Sequence, residues 1–233
     1  MFFWPSINLI FWGLAGVHFE AAGAQQAVIM VVSGLVFWTM LIRGQNDIGI
    51  SVLAEMWDQN LINIFVSPLK LFEWALAMMI LGIMKGIVGF LFAAFIAYVF
   101  YQVGIFLYGF AILPFLAMLL MTGWWIGFIV GGLILRFGKR IQTLAWTFVF
   151  LIAPFIGIIY PISALPPWGQ TIASLLPPTY IFEGMREIII SGTLDYSNLT
   201  ISFILNIIYI IPAYAFFHWN FKNLLSRGLA TAH

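Results

Sequence analysis

The sequence predicts an all-α integral membrane protein with six transmembrane helices in a single domain over residues 1–233. Of its residues 64% are hydrophobic and only 7% are charged, and the mean hydropathy is +1.08. A water-soluble fold cannot bury such a share of apolar side chains. Six apolar stretches approach the roughly 20 residues that a helix needs to cross a bilayer. They are residues 2–17, 26–42, 74–100, 103–135, 141–160 and 201–219.

The first stretch begins at Phe2 without a preceding basic region, so we interpret it as a retained span rather than a cleaved signal peptide. The turn that follows contains His18 and Glu20. One His beside one Glu, without a third ligand, is typical of a solvated loop, and we expect no metal there. The absence of cysteine excludes disulfides and thiolate metal sites.

The segment 43–72 is the long polar interruption of the chain. At helical spacing it has an apolar side and one polar stripe, which predicts an amphipathic helix at the membrane surface between spans two and three. The stripe consists of Asp47, Ser51, Glu55, Asp58, Gln59 and Asn63. Ser67 is expected to cap the next helix, with Pro68 at its first position.

Three of the stripe residues are acidic, whereas helices that bind anionic lipid carry Lys and Arg on their polar face. The stripe therefore indicates contact with a protein. The alternative is a loop that lies flat on the bilayer without any partner.

Lys85 lies inside the third span, where a charged side chain must face protein or water rather than lipid. Two interpretations stay open, a structural lysine and a residue that lines a cavity. The sequence offers no obvious carboxylate partner in another span, which leaves Glu183 and Glu187 as distant candidates.

The fourth stretch is too long for one span and contains Pro114, which predicts either a kink or the true end of the preceding turn. The same stretch carries Gly123, Gly127 and Gly131 on one helical face. Small residues at this spacing let two helix backbones approach closely. We expect this glycine ridge to pack against another helix, preferably of the same chain.

Prolines interrupt the outer segment 161–192 too often for a spanning helix. They are Pro161, Pro166, Pro167, Pro177 and Pro178. Two short helices are expected between the breaks, over 168–176 and 179–190, with Gly192 ending the second. Glu183, Arg186 and Glu187 share one face of it. The pattern predicts a re-entrant helical hairpin before span six.

Lys and Arg in the connections set the orientation, because basic residues stay on the cytoplasmic side. One side of the predicted topology receives Arg43, Lys70, Arg136, Lys139, Arg140, Lys222 and Arg227. The other side receives Arg186 alone. This asymmetry places both termini and the segment 43–72 in the cytoplasm.

The chain carries no recognisable nucleotide-hydrolysing motif. A P-loop requires a glycine five residues before Gly138-Lys139 and a hydroxyl residue after them, but Leu133 and Arg140 stand there. Metalloprotease and serine-hydrolase motifs are also missing from the sequence. We expect a protein that is not an enzyme by itself.

Two motifs and the order of the spans resemble the type 2 permease subunit of ATP-binding cassette (ABC) transporters. The run Glu55 to Leu61, followed by Val66-Ser67-Pro68-Leu69, is similar to the cytoplasmic coupling segment of that family. The run Tyr160 to Pro166, followed by Leu176 to Tyr180 and Glu183 to Arg186, is similar to the signature before its last span. The resemblance covers nearly the whole chain.

The resemblance implies a permease homodimer of an exporter or flippase in the cell inner membrane, coupled to two copies of a separate cytoplasmic ATPase. That ATPase would bind ATP and Mg, and this chain would bind no cofactor and no nucleic acid. The expected ATPase contacts are Glu55, Trp57, Asp58, Gln59, Ser67 and Pro68. The expected outer gate comprises Pro161, Pro166, Pro177, Pro178, Tyr180, Glu183 and Arg186. Such proteins usually begin with a surface helix, so either this chain lacks it or its start lies upstream.

An ATP-independent secondary transporter or channel is the alternative function. It requires carboxylates within the membrane for ion coupling, and the predicted spans contain essentially none. A membrane-embedded enzyme is a third class, which the missing catalytic motifs disfavour. Copurification of an ATPase distinguishes the first function from both others. The sequence does not indicate the substrate.

Overall fold

The computed structural model describes residues 6–14 and 25–226, and all regular structure within these ranges is helical. Nine α-helices can be numbered in chain order within them. They are α1 (residues 6–14), α2 (Gln25–Trp57), α3 (Leu61–Val66), α4 (Leu71–Tyr101), α5 (Ile112–Phe137), α6 (Leu144–Thr147), α7 (Pro167–Ser174), α8 (Pro177–Ser191) and α9 (Tyr196–Ser226). Short 3-10 turns lie over Ile105–Ala111, Gly138–Ile141, Phe148–Leu151, Ala153–Phe155 and Ile162–Ala164.

Four helical segments are long and apolar enough to cross a membrane: Gln26–Trp57, Leu71–Tyr101, Ile105–Ile141 and Tyr196–Ser226. They coincide with the second, third, fourth and sixth predicted spans. The first predicted span is described only over residues 6–14. Its remainder, together with His18 and Glu20, lies outside the described residues. The chain is thus an all-helical, multi-pass membrane protein.

The second span was predicted to end before Arg43, but the observed helix α2 continues to Trp57. Residues 43–57 continue the second span without a break, so no separate surface helix begins at Arg43. Two polar residues of this stretch, Gln45 and Asp47, each make a polar contact inside the bundle. Asp47 is 7% exposed and forms an ion pair, and the Gln45 side chain donates a hydrogen bond of 2.9 Å to the Ala145 carbonyl. Polar groups that are satisfied by other helices need no water.

Pro114 marks the end of the preceding turn and does not kink a long helix. The overlong fourth stretch divides into a 3-10 turn and α5, and Pro114 lies in the first turn of α5. Proline is tolerated there because the first amides of a helix have no intrahelical partner. The turn is possible because Gly109 adopts a left-handed φ of 53°.

The stretch 141–160 does not form the predicted long helix. It consists of α6, two 3-10 turns and irregular backbone, and its apolar helical part covers only Leu144–Phe155. Pro154 removes a backbone donor and Gly157 has a left-handed φ of 73°, and both interrupt a helix. The structure therefore does not confirm a long, regular fifth spanning helix over these residues.

The helix α5 occupies the centre of the bundle, with α2 on one side and α9 on another. Its glycine ridge faces α2: a Cβ on Gly123 would lie 2.7 Å from the Cα of Gly44, and one on Gly127 would lie 2.8 Å from the Cβ of Ile48. On the α9 side, Asn206 is fully buried and accepts hydrogen bonds from Thr122 and Trp125 at 2.9 and 3.2 Å. Close backbone contact and satisfied polar groups therefore hold the three helices together.

The helices α7 and α8 form where the sequence predicts them, within one or two residues. Pro167 begins α7, Pro177 begins α8, and Gly192 ends α8 with a left-handed φ of 73°. The Tyr180 hydroxyl donates to the Ser174 carbonyl at 2.8 Å and ties α8 to α7. The Ser202 hydroxyl donates to the Pro177 carbonyl at 2.9 Å and ties α9 to α8. These two helices thus form a cap on the bundle.

Candidate functional site

The turn between α2 and α4 is formed by α3 and its flanking residues, and we call residues 55–70 the tip. α2 ends at Trp57, and Gln59 reverses the chain direction with a left-handed φ of 54°. The Asn60 side-chain amide donates to the Glu55 carboxylate at 2.6 Å, and the Asn63 side-chain amide donates to the side-chain Oδ1 of Asn60 at 2.7 Å. A network of short polar contacts therefore fixes the shape of the tip.

The tip presents apolar and acidic side chains together. Trp57 is 45% exposed and Val66 is 82% exposed, and Asp58 and Gln59, which follow Trp57 in the sequence, are also exposed. Leu61 and Met56 are buried beneath them and anchor the tip to the bundle. An exposed tryptophan surrounded by polar groups is typical of a protein interface.

Ser67 and Pro68 are exposed in the tip but do not begin α4 as predicted. The Ser67 hydroxyl donates to the Ile64 carbonyl at 2.8 Å and so ends α3 instead. α4 begins three residues after Pro68, at Leu71, where the backbone amide of Lys70 donates to the Glu73 carboxylate at 2.9 Å. The predicted cap was wrong because Glu73, two residues into α4, supplies the acceptor that Ser67 was expected to provide.

Four basic residues lie at the same end of the bundle as the tip: Arg136, Lys139, Arg140 and Lys222. Arg43 does not, because its side chain lies along α4 beside Gly86 and Gly89. The Met56 side chain lies 3.9 Å from the Cβ position of Gly138, in the turn that carries Lys139 and Arg140. The Arg136 guanidinium lies 5.9 Å from the centre of the Trp219 ring, one turn before Lys222 of α9. We call this end of the bundle the basic end. Cationic side chains beside aromatic rings are typical of the membrane interface on the cytoplasmic side.

An ion pair joins α2 to α4 in the interior of the bundle. The Lys85 Nζ atom donates to Asp47 Oδ1 at 3.0 Å. Lys85 lies near the middle of α4, about 21 Å from Leu71 and about 24 Å from Tyr101 at a rise of about 1.5 Å per residue. Asp47 is the partner that sequence reasoning missed, because Asp47 was assigned to a surface helix. A hint was available in the sequence, since a continuous helix through Arg43 places Asp47 inside a span.

Replacing either partner of this ion pair is expected to destabilise the protein, and replacing Lys85 should cost more than replacing Asp47. Lys85→Gln leaves the 8% exposed Asp47 carboxylate without the ammonium group that it binds and should cost about 2 to 3 kcal/mol of unfolding free energy, whereas Asp47→Asn leaves a half-exposed Lys85 and should cost about 1 kcal/mol. The double variant should recover most of the loss. Thermal unfolding of the four proteins in detergent measures this cycle, and strictly additive effects would contradict the pairing.

At the opposite end of the bundle, Arg186 of α8 holds the irregular backbone before α7 in place. Its guanidinium is buried and donates to the Gly157 carbonyl, to the Tyr160 carbonyl at 2.8 Å and to the Glu183 carboxylate at 2.7 Å. Glu183 also accepts the Ile162 amide at 3.0 Å. Burial lowers the pKa of Arg186 from its ordinary value, and the neighbouring Glu183 carboxylate opposes this shift. We call this network the Arg186 clasp.

The residues predicted for the outer gate divide between the clasp and the cap helices. Glu183 and Arg186 meet in the clasp, and Pro161 immediately precedes the 3-10 turn that Glu183 holds. Pro166, Pro177, Pro178 and Tyr180 lie instead at the starts of α7 and α8.

The structure thus places the tip, the ion pair and the clasp at successive levels along the bundle. Glu187 lies apart from Lys85, and its carboxylate accepts the Asp195 amide at 3.3 Å.

A family model described as "ABC-2 type transporter" matches residues 1–190 of the chain. The match includes the tip, the ion pair and the clasp, and it ends within α8. A search among curated proteins found none that matches.

Proposed function

Because the chain belongs to the ABC-2 type transporter family, we propose that it is the permease subunit of an ATP-driven exporter or flippase. Permeases of this family generally work with a cytoplasmic ABC ATPase. On this proposal two permease chains form a homodimer around the translocation path, and two ATPase copies bind ATP and Mg. The permease itself supplies the path and the contact surface for the ATPase.

The observation that carries the proposal is the tip at the basic end of the bundle. It combines an exposed Trp57 with the exposed Asp58, as expected of a docking surface for protein rather than for anionic lipid. The tip also lies at the end of α2, a helix that runs without interruption from Gln25 to Trp57. Movement of a bound ATPase would therefore reach the interior of the bundle through α2 itself.

The distribution of basic residues supports an orientation with the tip in the cytoplasm and the clasp on the outer side. This orientation puts both termini in the cytoplasm of a cell inner membrane. α7 and α8, held by the Arg186 clasp, then cover the outer end of the path as a re-entrant hairpin and act as the outer gate. The irregular backbone at residues 156–161 is compatible with that depth because Arg186 donates to two of its carbonyls, those of Gly157 and Tyr160.

Trp57→Ala is expected to reduce the ATP hydrolysis that copurifies with the tagged chain by about tenfold or more, since truncating a central aromatic contact commonly costs over 1.4 kcal/mol of binding. Tyr196→Ala is the matched control, because Tyr196 is 74% exposed at the start of α9, away from the basic end. Both variants should keep the melting temperature of the parent protein. Equal ATPase activity in the two would contradict docking at the tip.

Asp58→Ala is a second variant of the same surface. Asp58 is exposed, and its backbone amide donates to the Ala54 carbonyl at 2.9 Å. Glu55→Ala is less suitable as a test, because Glu55 holds Asn60 and its loss would alter the shape of the tip.

A secondary transporter remains the alternative, and one observation favours it. Asp47 lies within the candidate span Gln26–Trp57, so the expectation that the spans lack carboxylates was wrong. Intramembrane carboxylates mark ion-coupled transport in other proteins. The two functions differ in one measurement: transport by the ATP-driven form stops when nucleotide is withdrawn, whereas ion-coupled transport continues and stops when the ion gradient is collapsed.

A further inference from the structure

Arg136, in the last turn of α5, lies between two exposed aromatic rings at the basic end. Its guanidinium carbon is 5.2 Å from the centre of the Phe137 ring and 5.9 Å from the centre of the Trp219 ring on α9. Phe137 and Trp219 are both 51% exposed. Exposed aromatic rings at the end of a membrane helix are typical of the level of the lipid headgroups. The guanidinium of Arg136 therefore lies at the depth of a headgroup.

The hydrogen-bond donors of this guanidinium are available. Within residues 6–14 and 25–226, the Arg136 side chain forms neither a hydrogen bond nor an ion pair. A guanidinium carries five N–H donors in a planar fork, which matches the oxygen atoms of a phosphate group. Stacking on an aromatic ring uses the face of the group and leaves the donors at its edge free. Arg136 is thus held in position to bind an oxyanion.

The ends of α5 and α9 bring further positive charge to the same place, because the two helices run side by side in the same direction. Asn206 of α9 accepts a hydrogen bond from Thr122 of α5. Farther along both helices, a Cβ on Gly132 would lie 2.8 Å from the Phe216 ring. Three exposed cations follow at their ends: Lys139 and Arg140 in the turn after α5, and Lys222 in α9. We call Arg136 and these three residues the basic patch.

The acidic side chains at this end of the bundle do not neutralise the basic patch. Glu55 accepts the Asn60 side-chain amide at 2.6 Å in the tip, and Glu73 accepts the Lys70 backbone amide at 2.9 Å at the start of α4. Asp58 is exposed in the tip. Among the described residues, no carboxylate forms an ion pair with any member of the basic patch. An acidic tip and a positively charged surface thus lie at one end of the bundle.

We propose that the basic patch binds the headgroup of an anionic phospholipid. Arg136 holds the phosphate group through paired hydrogen bonds, and the three other cations attract the negative charge of the headgroup. Trp219 and Phe137 contact the glycerol group and the first methylene groups of the acyl chains. The proposal goes beyond the proposed function and does not depend on coupling to an ATPase.

Two observations favour a lipid over a soluble anion or a protein. The cations accompany exposed aromatic rings, which suit the boundary between headgroups and acyl chains. In the proposed orientation the basic patch also faces the cytoplasmic leaflet, whose anionic lipids attract Lys and Arg. A lipid that contacts the ends of both α5 and α9 is expected to stabilise their packing, since a ligand that binds only the folded state shifts the equilibrium toward it.

Native mass spectrometry tests the proposal on the full chain, purified with its partners and delipidated in detergent. The protein is titrated with phosphatidylglycerol or with phosphatidylcholine of the same acyl chains, and the bound lipid is counted. We expect phosphatidylglycerol to bind about tenfold more tightly, because the basic patch attracts its net negative charge. The preference should fall as salt is added, since the cations are exposed.

Arg136→Gln is expected to lower the affinity for phosphatidylglycerol about tenfold, because it removes charge-assisted hydrogen bonds to the phosphate. Arg136→Lys should recover part of the affinity, since it keeps the charge without the fork of donors. Lys70→Gln is the matched control, because it removes one exposed cation from the tip rather than from the basic patch. Phosphatidylglycerol should raise the melting temperature of the parent and Lys70→Gln proteins more than that of Arg136→Gln.

Equal binding of the two lipids by the parent protein would overturn the proposal, and this comparison needs no variant to fold. An Arg136→Gln protein that keeps the full lipid preference would also overturn it. Soluble glycerol 3-phosphate is added as a competitor, and displacement of phosphatidylglycerol at equal concentration would indicate a site for free phosphate instead. Unchanged lipid binding with reduced copurifying ATPase activity in Arg136→Gln would show that the basic patch contacts the ATPase. Lipid binding without any copurifying ATPase would refute only the proposed function.

Discussion

Replacing Gly123 by alanine is expected to destabilise the protein by about 3 kcal/mol or more and to reduce its accumulation in membranes. The added Cβ would lie 2.6 Å from the Leu41 carbonyl oxygen, 2.7 Å from the Gly44 Cα and 2.8 Å from the Gln45 amide nitrogen. All three are backbone atoms, which cannot rotate away as a side chain does. α2 and α5 would have to separate, and the packing that holds membrane helices together would be lost along their length.

The melting temperature in detergent and the yield of monodisperse protein measure this effect. Gly104→Ala is the control, because its Cβ would have no atom within 4 Å and its φ of −84° suits alanine. Gly131→Ala should be milder than Gly123→Ala, since it meets only side-chain atoms, 3.2 Å away on Phe217. A Gly123→Ala protein as stable as the Gly104→Ala protein would show that the contact between α2 and α5 is looser than described.

Arg186→Met is expected to lower the free energy of unfolding by about 3 kcal/mol, because it removes the donor from several buried acceptors at once. The Gly157 and Tyr160 carbonyls would lose their partner, and the Glu183 carboxylate would lose its cation. Methionine fills a similar volume, so the loss reflects the polar contacts rather than a cavity. The cap formed by α7 and α8 should loosen first.

Hydrogen exchange at residues 156–162 and the melting temperature measure the loosening of the clasp. Arg186→Lys should recover only part of the stability, because an ammonium group cannot reproduce the fork of donors that a guanidinium offers. Arg140→Met is the control, since Arg140 is exposed in the turn at the basic end. If Arg186→Met exchanged no faster than Arg140→Met over these residues, the clasp would not be what holds the segment.

The features of the chain that depend on local chemistry were predictable from the sequence. Proline at the starts of α7 and α8 and glycine after α8 act through backbone geometry alone, and the predicted ends agree with the structure within two residues. The position of the tip between the second and third spans followed from its polarity in the same way. The glycine ridge was visible as a spacing, but only the fold shows that α2 is its partner.

The features that depend on distant partners were not predictable. Arg43 and Asp47 interrupt an apolar pattern and were therefore assigned to a surface helix. Asp47 Oδ1 instead forms an ion pair with Lys85, which lies 38 residues further along the chain. Hydropathy measures each residue by itself and cannot register a partner that neutralises it. For the stretch 141–160 the sequence predicted a regular helix where the structure has broken backbone. Its apolar composition concealed the breaks at Pro154 and Gly157.

The close contact between Gly44 and Gly123 divides α2 into two arms of unequal length. With a rise of about 1.5 Å per residue, the arm from Gly44 to Trp57 is about 20 Å long and the arm from Gly44 to Gln25 is about 29 Å long. The helix contains no proline that would let it bend. If α2 tilted about its contact at Gly44, a displacement of Trp57 by 1 Å would displace Gln25 by about 1.5 Å in the opposite direction.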